Sequence, residues 1–177
     1  DGLLRAEDAK VLQSVLRGEQ RLLVRAEAAN DILRVLELKR DYPAIKMVLV
    51  GVSEGWRVAD RIAASGVPVI ASALNDLPAT FELLGATQSN IGRMKDAGVK
   101  VSIGMIDDRD SHQLRYTTQY AGNLVSLQKV PRATGLTWDE AFAAISSGPA
   151  EAMGMGDKLG SLKAGRVGDV VVWDGDP

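Results

Sequence analysis

Short apolar runs and segments of helical spacing alternate along this chain. Each of four apolar runs is followed by a segment whose apolar residues recur at helical spacing. The runs predict strands at 21–26, 47–50, 67–71 and 99–106, with helices after them at about 30–42, 54–65, 89–97 and 114–127. A further helix is predicted at 3–16, before the first strand. Strands without a polar face are covered on both sides, so this alternation predicts an α/β fold with a parallel sheet.

Local signals place several of the element ends. Gly18, Gly66 and Gly98 each follow a predicted helix, where glycine commonly ends one. Thr137 and Glu140 stand three residues apart and predict a capping box at the start of another helix. Pro149 is suited to a first helical turn and predicts one more short helix, and the β-branched residues of 169–173 predict a last strand.

The number of strand–helix units limits the architecture. An eight-stranded (β/α) barrel takes about 250 residues and at least about 200. This chain has 177 residues and four such units. The sequence therefore predicts a partial TIM-type barrel, about half of a closed one.

Composition and charge exclude several classes of protein. The chain has 21 basic and 23 acidic residues, which argues against a nucleic-acid-binding surface or a polybasic membrane patch. No apolar run approaches the roughly 20 residues of a spanning helix. The absence of cysteine excludes disulfides and thiolate metal sites. The opening residues resemble a helix rather than a secretory leader, and the composition does not separate a cytoplasmic from a periplasmic location.

Carboxylates and the one histidine of the chain cluster after the fourth predicted strand. Asp107, Asp108 and Asp110 precede His112 in a short polar stretch. A carboxylate beside an imidazole can serve as a general acid or base. The same aspartates could instead cap the following helix in solvent. A single imidazole also argues against a self-sufficient zinc hydrolase, which normally needs several.

The carboxyl-terminal segment carries a family resemblance. Residues 160–177 are similar to the carboxyl-terminal signature of the amidohydrolase superfamily, and they follow a helix and a Pro149-Ala150 step as in that family. Residues 53–60, 66–69 and 97–101 resemble the imidazolonepropionase-like branch, in the same order. The resemblance covers roughly residues 20–177. It implies that residues 1–153 are half of the barrel and that 154–177 begin the family's small β-sandwich domain, with 169–173 as a strand of it.

The resemblance also implies a metal-assisted hydrolysis of carbon–nitrogen bonds, peptide-like or not. The family uses divalent ions, usually zinc, held by histidines after the barrel strands, and a carboxylate after the last strand moves a proton. Arg25 and Gly51 fall at two of the histidine positions, and neither residue can ligate a metal. The carboxylate position falls on Asp107, or on Asp110 if the alignment is anchored on the following helix. No metal ligand and no cofactor are therefore predicted for this chain.

Arg25 and Glu27 alternate along the first predicted strand, so their side chains should point the same way. Arg25 could then place a fixed positive charge at the barrel mouth and pair with Asp107, or both residues could simply be a charged strand end. Gly51 could likewise be an ordinary strand-end glycine.

Two functions compete on these observations. The first is the carboxyl-terminal fragment of an imidazolonepropionase-like amidohydrolase with an impaired or absent metal site, inactive on its own. The alternative is a non-catalytic, degenerate barrel that binds a small ligand or serves as a structural half-barrel. Either way the open edges and apolar inner face of a half-barrel predict a homo-oligomer or a missing amino-terminal half. The substrate is not determined.

Overall fold

The computed structural model describes residues 6–106 and 113–175, and it alternates strands and helices as predicted. Its strands are β1 (Arg21–Ala26), β2 (Lys46–Gly51), β3 (Val69–Ala71) and β4 (Val101–Ile103). Its helices are α1 (Ala6–Leu16), α2 (Ala29–Asp41), α3 (Ala59–Ser65), α4 (Asn90–Asp96), α5 (Thr117–Ser126), α6 (Trp138–Ile145) and α7 (Ser147–Ala152). Asp107, Asp110 and His112 lie outside the described residues. In the described ranges, no helix is long and apolar enough to cross a membrane.

The four strands form one parallel sheet in the order β1-β2-β3-β4. Parallel neighbours need a crossover between them, and α2, α3 and α4 provide the three crossovers. The carboxyl ends of all four strands therefore lie at one edge. This arrangement confirms the predicted parallel sheet and is that of a partial (β/α) barrel.

The two faces of the sheet differ in burial. Leu49, Val69 and Val101 point to one face, where they pack in a core with residues of the helices such as Ile62 and Leu124. A second row of residues in register points to the other face: Arg25, Val50, Ile70 and Ser102. On this face Leu23 is 49% exposed, whereas the core residue Leu49 of the next strand is fully buried. The side that the helices cover is thus a complete core, whereas the other side, which corresponds to the interior of the barrel, is buried at Val48 and Ser102 but open at Leu23.

The predicted helix ends agree with the local geometry at several positions. Gly66 ends α3 in the left-handed conformation at φ +67°. Thr137 and Glu140 form the capping box of α6, in which the Glu140 carboxylate accepts a hydrogen bond from the Thr137 backbone at 2.9 Å. The predicted helix at 54–65 is divided into a 3-10 turn, Gly55–Arg57, followed by α3.

The predicted strand at 169–173 is not formed. These residues contain no strand or helix in the described structure, and Val172 is 90% exposed. A strand is completed by backbone hydrogen bonds to a neighbouring strand, and no described strand lies beside this segment. β-branched composition alone is therefore insufficient here, and the division into 1–153 and 154–177 stays a prediction.

Candidate functional site at the carboxyl ends of the strands

A polar cluster lies at the edge where the parallel strands end. Arg25 is near the end of β1 and Glu27 follows it, Ser53 follows β2, and Asn75 follows β3. In parallel sheets this edge is where ligands are generally bound, because the loops that follow the strands converge there. We refer to Arg25, Glu27, Ser53 and Asn75 as the mouth cluster.

Glu27 is the centre of the mouth cluster. Its side chain is 15% exposed, and its Oε1 accepts a hydrogen bond from Arg25 Nε at 3.0 Å. Its Oε2 accepts from the backbone N–H of Ser53 at 3.1 Å and from the Ser53 hydroxyl at 2.7 Å. Asn75 Nδ2 lies 3.3 Å from Ser53 Oγ and donates to it. A largely buried carboxylate is stabilised by such donors, so both Glu27 oxygens are committed to the protein.

Gly51 is the position that makes room for this carboxylate. It has φ +91°, and a Cβ at residue 51 would overlap Glu27 Oε1 and lie 2.6 Å from Glu27 Cδ. The next residue, Val52, also has a positive φ of 58°, which a β-branched side chain rarely adopts. Its carbonyl accepts a hydrogen bond from Asn90 Nδ2 at 2.9 Å, and its N–H donates to the Ala26 carbonyl at 2.9 Å. The backbone after β2 is thus held in a strained turn by its neighbours.

Arg25 projects from the cluster into the mouth. Its side chain is 54% exposed, and it binds Glu27 through Nε. Its two terminal nitrogens make no hydrogen bond with any residue in 6–106 or 113–175. The contact with Glu27 agrees with the expectation that the two side chains point the same way. The predicted pairing with Asp107 stays a prediction, because Asp107, like Asp110 and His112, lies outside the described residues.

The loop after β2 is fixed by a second set of contacts. Glu54 Oε2 accepts from the backbone N–H of Ala29, the first residue of α2, at 3.0 Å. The Trp56 indole donates to the Gly85 carbonyl at 2.8 Å, and the buried Asn90 accepts from the Trp56 backbone at 2.9 Å. These contacts tie the start of α2, the loop after β2 and α4 together, so that Ser53 is held in place to bind Glu27.

Sequence reasoning did not identify Ser53, Asn75 or Asn90 as site residues. Ser53 belongs to the segment 53–60 that carries the family resemblance, but the resemblance gave no role to the Ser53 side chain. Asn75 and Asn90 lie in or beside a long loop, and polar residues in loops are too common to indicate a site.

Comparison with known proteins assigns the family. A family model described as the Amidohydrolase family matches residues 39–177. The chain belongs to the amidohydrolase family. It is 31% identical over 127 residues to an imidazolonepropionase from Bacillus velezensis, an alignment that covers 71% of this chain and 27% of that protein. It is also 49% identical over 43 residues to amidohydrolase tasK from Hapsidospora irregularis, covering 24% of this chain and 4% of that one.

Solved structures agree on the fold. An amidohydrolase from Thermotoga maritima matches with a TM-score of 0.81 at 21% sequence identity, covering 99% of this chain and 43% of its own. A triazine hydrolase variant matches with a TM-score of 0.63 at 18% identity, covering 92% of this chain and 37% of its own. This amidohydrolase chain therefore spans about a quarter of the length of the imidazolonepropionase it matches and under half of either solved relative.

The described residues of the mouth do not fit the divalent metal that the amidohydrolase family generally uses. Both oxygens of Glu27 are engaged, Gly51 has no donor atom, and Arg25 adds a positive charge that would repel a cation. Within 6–106 and 113–175, no group of three or more histidine, cysteine, aspartate or glutamate residues could hold a metal ion. The mouth cluster is instead a hydrogen-bonded ion pair that presents a guanidinium.

Proposed function

We propose that this chain is the carboxyl-terminal part of an imidazolonepropionase-like hydrolase of carbon–nitrogen bonds, in which this part contributes an impaired metal site or none. Membership of the amidohydrolase family and similarity to an imidazolonepropionase over 71% of the chain support the hydrolase class. The observation that carries the finer proposal is the position of the Glu27 carboxylate, which occupies the space of a side chain at Gly51.

Two positions at neighbouring strand ends support this proposal. The resemblance places family histidines at Arg25 and Gly51. The two positions are close together on neighbouring strands, because Arg25 lies in register with Val50, and Gly51 with Ala26. One position now carries a permanent cation, and the other has no room for a ligand while Glu27 keeps its hydrogen bonds. Arg25 forms an ion pair with Glu27, and the Glu27 carboxylate fills the space beside Gly51. This arrangement at two neighbouring positions supports the replacement of a metal site by a salt bridge.

The chemistry open to the mouth cluster follows from its free groups. Arg25 retains N–H donors on its terminal nitrogens and can bind and orient a carbonyl or carboxylate oxygen of a ligand. Glu27 has both oxygens committed, so it is poorly placed to take a proton from water without breaking its bonds to Ser53. Binding and orientation are therefore the roles that we propose for this cluster, and hydrolysis requires groups from outside it.

We also propose that the exposed inner face is covered by the remaining half of a barrel. The chain corresponds to 43% of the amidohydrolase from Thermotoga maritima, and Leu23 is 49% exposed on the face that points inward. A half-barrel leaves backbone groups of β1 and β4 open at its two edges, which favours the addition of further strands. Sedimentation over a range of concentrations distinguishes a second copy of this chain, which would give a dimer, from a separate amino-terminal half, which would leave it a monomer.

The hydrolase proposal is tested by metal content and turnover together. Protein purified without a metal-binding tag is expected to contain substoichiometric zinc by elemental analysis, and to leave a cyclic amide substrate unhydrolysed with or without added zinc. If the wild-type chain contains stoichiometric zinc, and the Glu27→Gln variant retains that zinc, the proposed replacement of the metal site is wrong.

The alternative of a non-catalytic binding protein is favoured by the engagement of both Glu27 oxygens with Arg25 and Ser53. Titration calorimetry with the same cyclic amide separates the two functions. Binding that is lost in Arg25→Met, without turnover when the remaining barrel half is supplied, would assign the chain to the non-catalytic class. Turnover on supplying that half would assign it to the hydrolases.

A further inference from the structure

A polar cavity lies at the end of the sheet opposite the mouth cluster, where the strands begin. Its volume is about 330 Å³, and it lies between the starts of β1 and β4, the end of α4, and helices α6 and α7. Seven residues with polar side chains line it: Arg21, Lys95, Lys100, Ser102, Glu140, Ser147 and Glu151. None of them belongs to the mouth cluster, and no sequence signal marked this cavity.

Arg21 is the most unusual of these residues. Its side chain is partly buried, yet it makes no hydrogen bond or ion pair with any residue that the structure describes. Gly154 accommodates it: this glycine has φ +69°, and a Cβ there would overlap Arg21 Nη2 and lie 2.6 Å from Cζ. The described residues contain no buried side-chain nitrogen or oxygen atom without a partner, so the Arg21 N–H groups are open to solvent and can donate to a ligand in the cavity.

Ser102 supplies a second donor that has no protein partner among the described residues. The residue is 2% exposed, and its hydroxyl has no hydrogen-bond partner among the described residues. The hydroxyl lies against Gly148 of α7, where a Cβ would be 2.8 Å from Ser102 Oγ. Both donors are thus accommodated by glycines, and both border the same cavity.

The charges around the cavity favour an anion. Arg21 and Lys100 lie at the starts of β1 and β4, Lys95 lies at the end of α4, and Glu140 and Glu151 lie on α6 and α7. The Glu140 carboxylate is occupied by the Thr137 backbone and hydroxyl at 2.9 Å each. Glu151 is exposed to solvent. The cavity is therefore lined by three cations and two carboxylates, which leaves an excess of positive charge.

We infer that this cavity binds a small oxyanion of the phosphate type, either free phosphate or the phosphate group of a small metabolite. The planar guanidinium of Arg21 matches two oxygens of such a group, and the Ser102 hydroxyl can donate to a third. Lys100, which is exposed at the start of β4, adds a point charge at the entrance. Ser102 points to the inner face that we propose is covered by the remaining half of the barrel, so this inference concerns the cavity of this chain by itself, and its test needs no hydrolase activity.

Titration calorimetry with inorganic phosphate, at constant ionic strength set by chloride, tests the inference. Saturable binding is expected, and Arg21→Gln or Ser102→Ala should weaken it by about tenfold or more, since each removes a hydrogen bond to a charged group. Arg61→Gln is the matched control, because Arg61 is exposed on α3 and does not line the cavity.

Thermal unfolding with phosphate or acetate gives a second readout. Phosphate should raise the midpoint more than chloride at equal ionic strength, and Lys100→Gln, a change at an exposed residue, should reduce that increase even if Arg21→Gln does not fold. The inference fails if phosphate stabilises no more than chloride, if acetate binds equally well, or if Arg61→Gln weakens binding as much as Arg21→Gln. These outcomes are independent of any hydrolase assay.

Discussion

Substitution of Gly51 by alanine tests whether the Glu27 carboxylate occupies the space beside β2. Two costs add at this position. Alanine at φ +91° carries a backbone penalty of about 1–2 kcal/mol. The added methyl group must also displace the carboxylate, whose Cδ and Oε2 lie 2.6 and 2.7 Å from the Cβ position.

The second cost is set by the bonds that Glu27 loses on moving. It accepts two hydrogen bonds from Ser53, and each bond to a charged acceptor contributes about 1.5–3 kcal/mol. The side chain is 15% exposed, so hydration recovers part of that loss. We therefore expect Gly51→Ala to lower the free energy of unfolding by about 3–5 kcal/mol in total.

Gly98→Ala is the matched control for this measurement. Gly98 has φ +85°, and nothing lies within 4 Å of its Cβ position, so only the backbone cost of about 1–2 kcal/mol is expected. Urea unfolding followed by circular dichroism measures both variants. The double variant Glu27→Ala/Gly51→Ala should be less destabilised than the sum of its two single changes, because the steric conflict is gone. Equal losses in Gly51→Ala and Gly98→Ala would refute the reasoning.

Five further substitutions have defined outcomes. Arg25→Met should lower the free energy of unfolding in urea by about 1 kcal/mol or less, because the Arg25 side chain is 54% exposed. A decrease of about 3 kcal/mol would instead mean that the ion pair with Glu27 is buried in the protein in solution. Thr137→Ala should cost about 1 kcal/mol through loss of the capping box, as measured by thermal unfolding. The hydrogen bond from the Thr137 backbone N–H lowers the pKa of Glu140, so the ionised Glu140 carboxylate stabilises the fold above about pH 4.5 and loses this contribution as the pH falls further. Glu140→Gln should therefore flatten the dependence of the unfolding free energy on pH in that range. Leu49→Ala should lower the free energy of unfolding by about 2–5 kcal/mol, and Leu23→Ala by under about 1 kcal/mol. If a partner covers Leu23, the destabilisation by Leu23→Ala should depend on protein concentration.

Elements whose signals are local were predictable from the sequence. The start and end of β1 at 21–26 agree with the predicted run, and α3 ends at the predicted glycine, Gly66. The capping box joins Thr137 to a residue three positions away. In each case the deciding interaction is between near neighbours or follows the period of one element, so the order of residues contains it. The family resemblance was available for the same reason, since it depends on contiguous segments.

The sites were decided by contacts between distant parts of the chain. Glu27 and Ser53 are 26 residues apart, and Asn90 reaches back 38 residues to the Val52 carbonyl. Gly154, near the other end of the chain, makes room for Arg21, so neither the mouth cluster nor the cavity beside Arg21 has a local signature. The segment 169–173 shows the converse case, because its strand propensity is local but a strand requires a partner. Local preference selects the elements, whereas pairing, close approach and charge compensation depend on which elements the fold brings together.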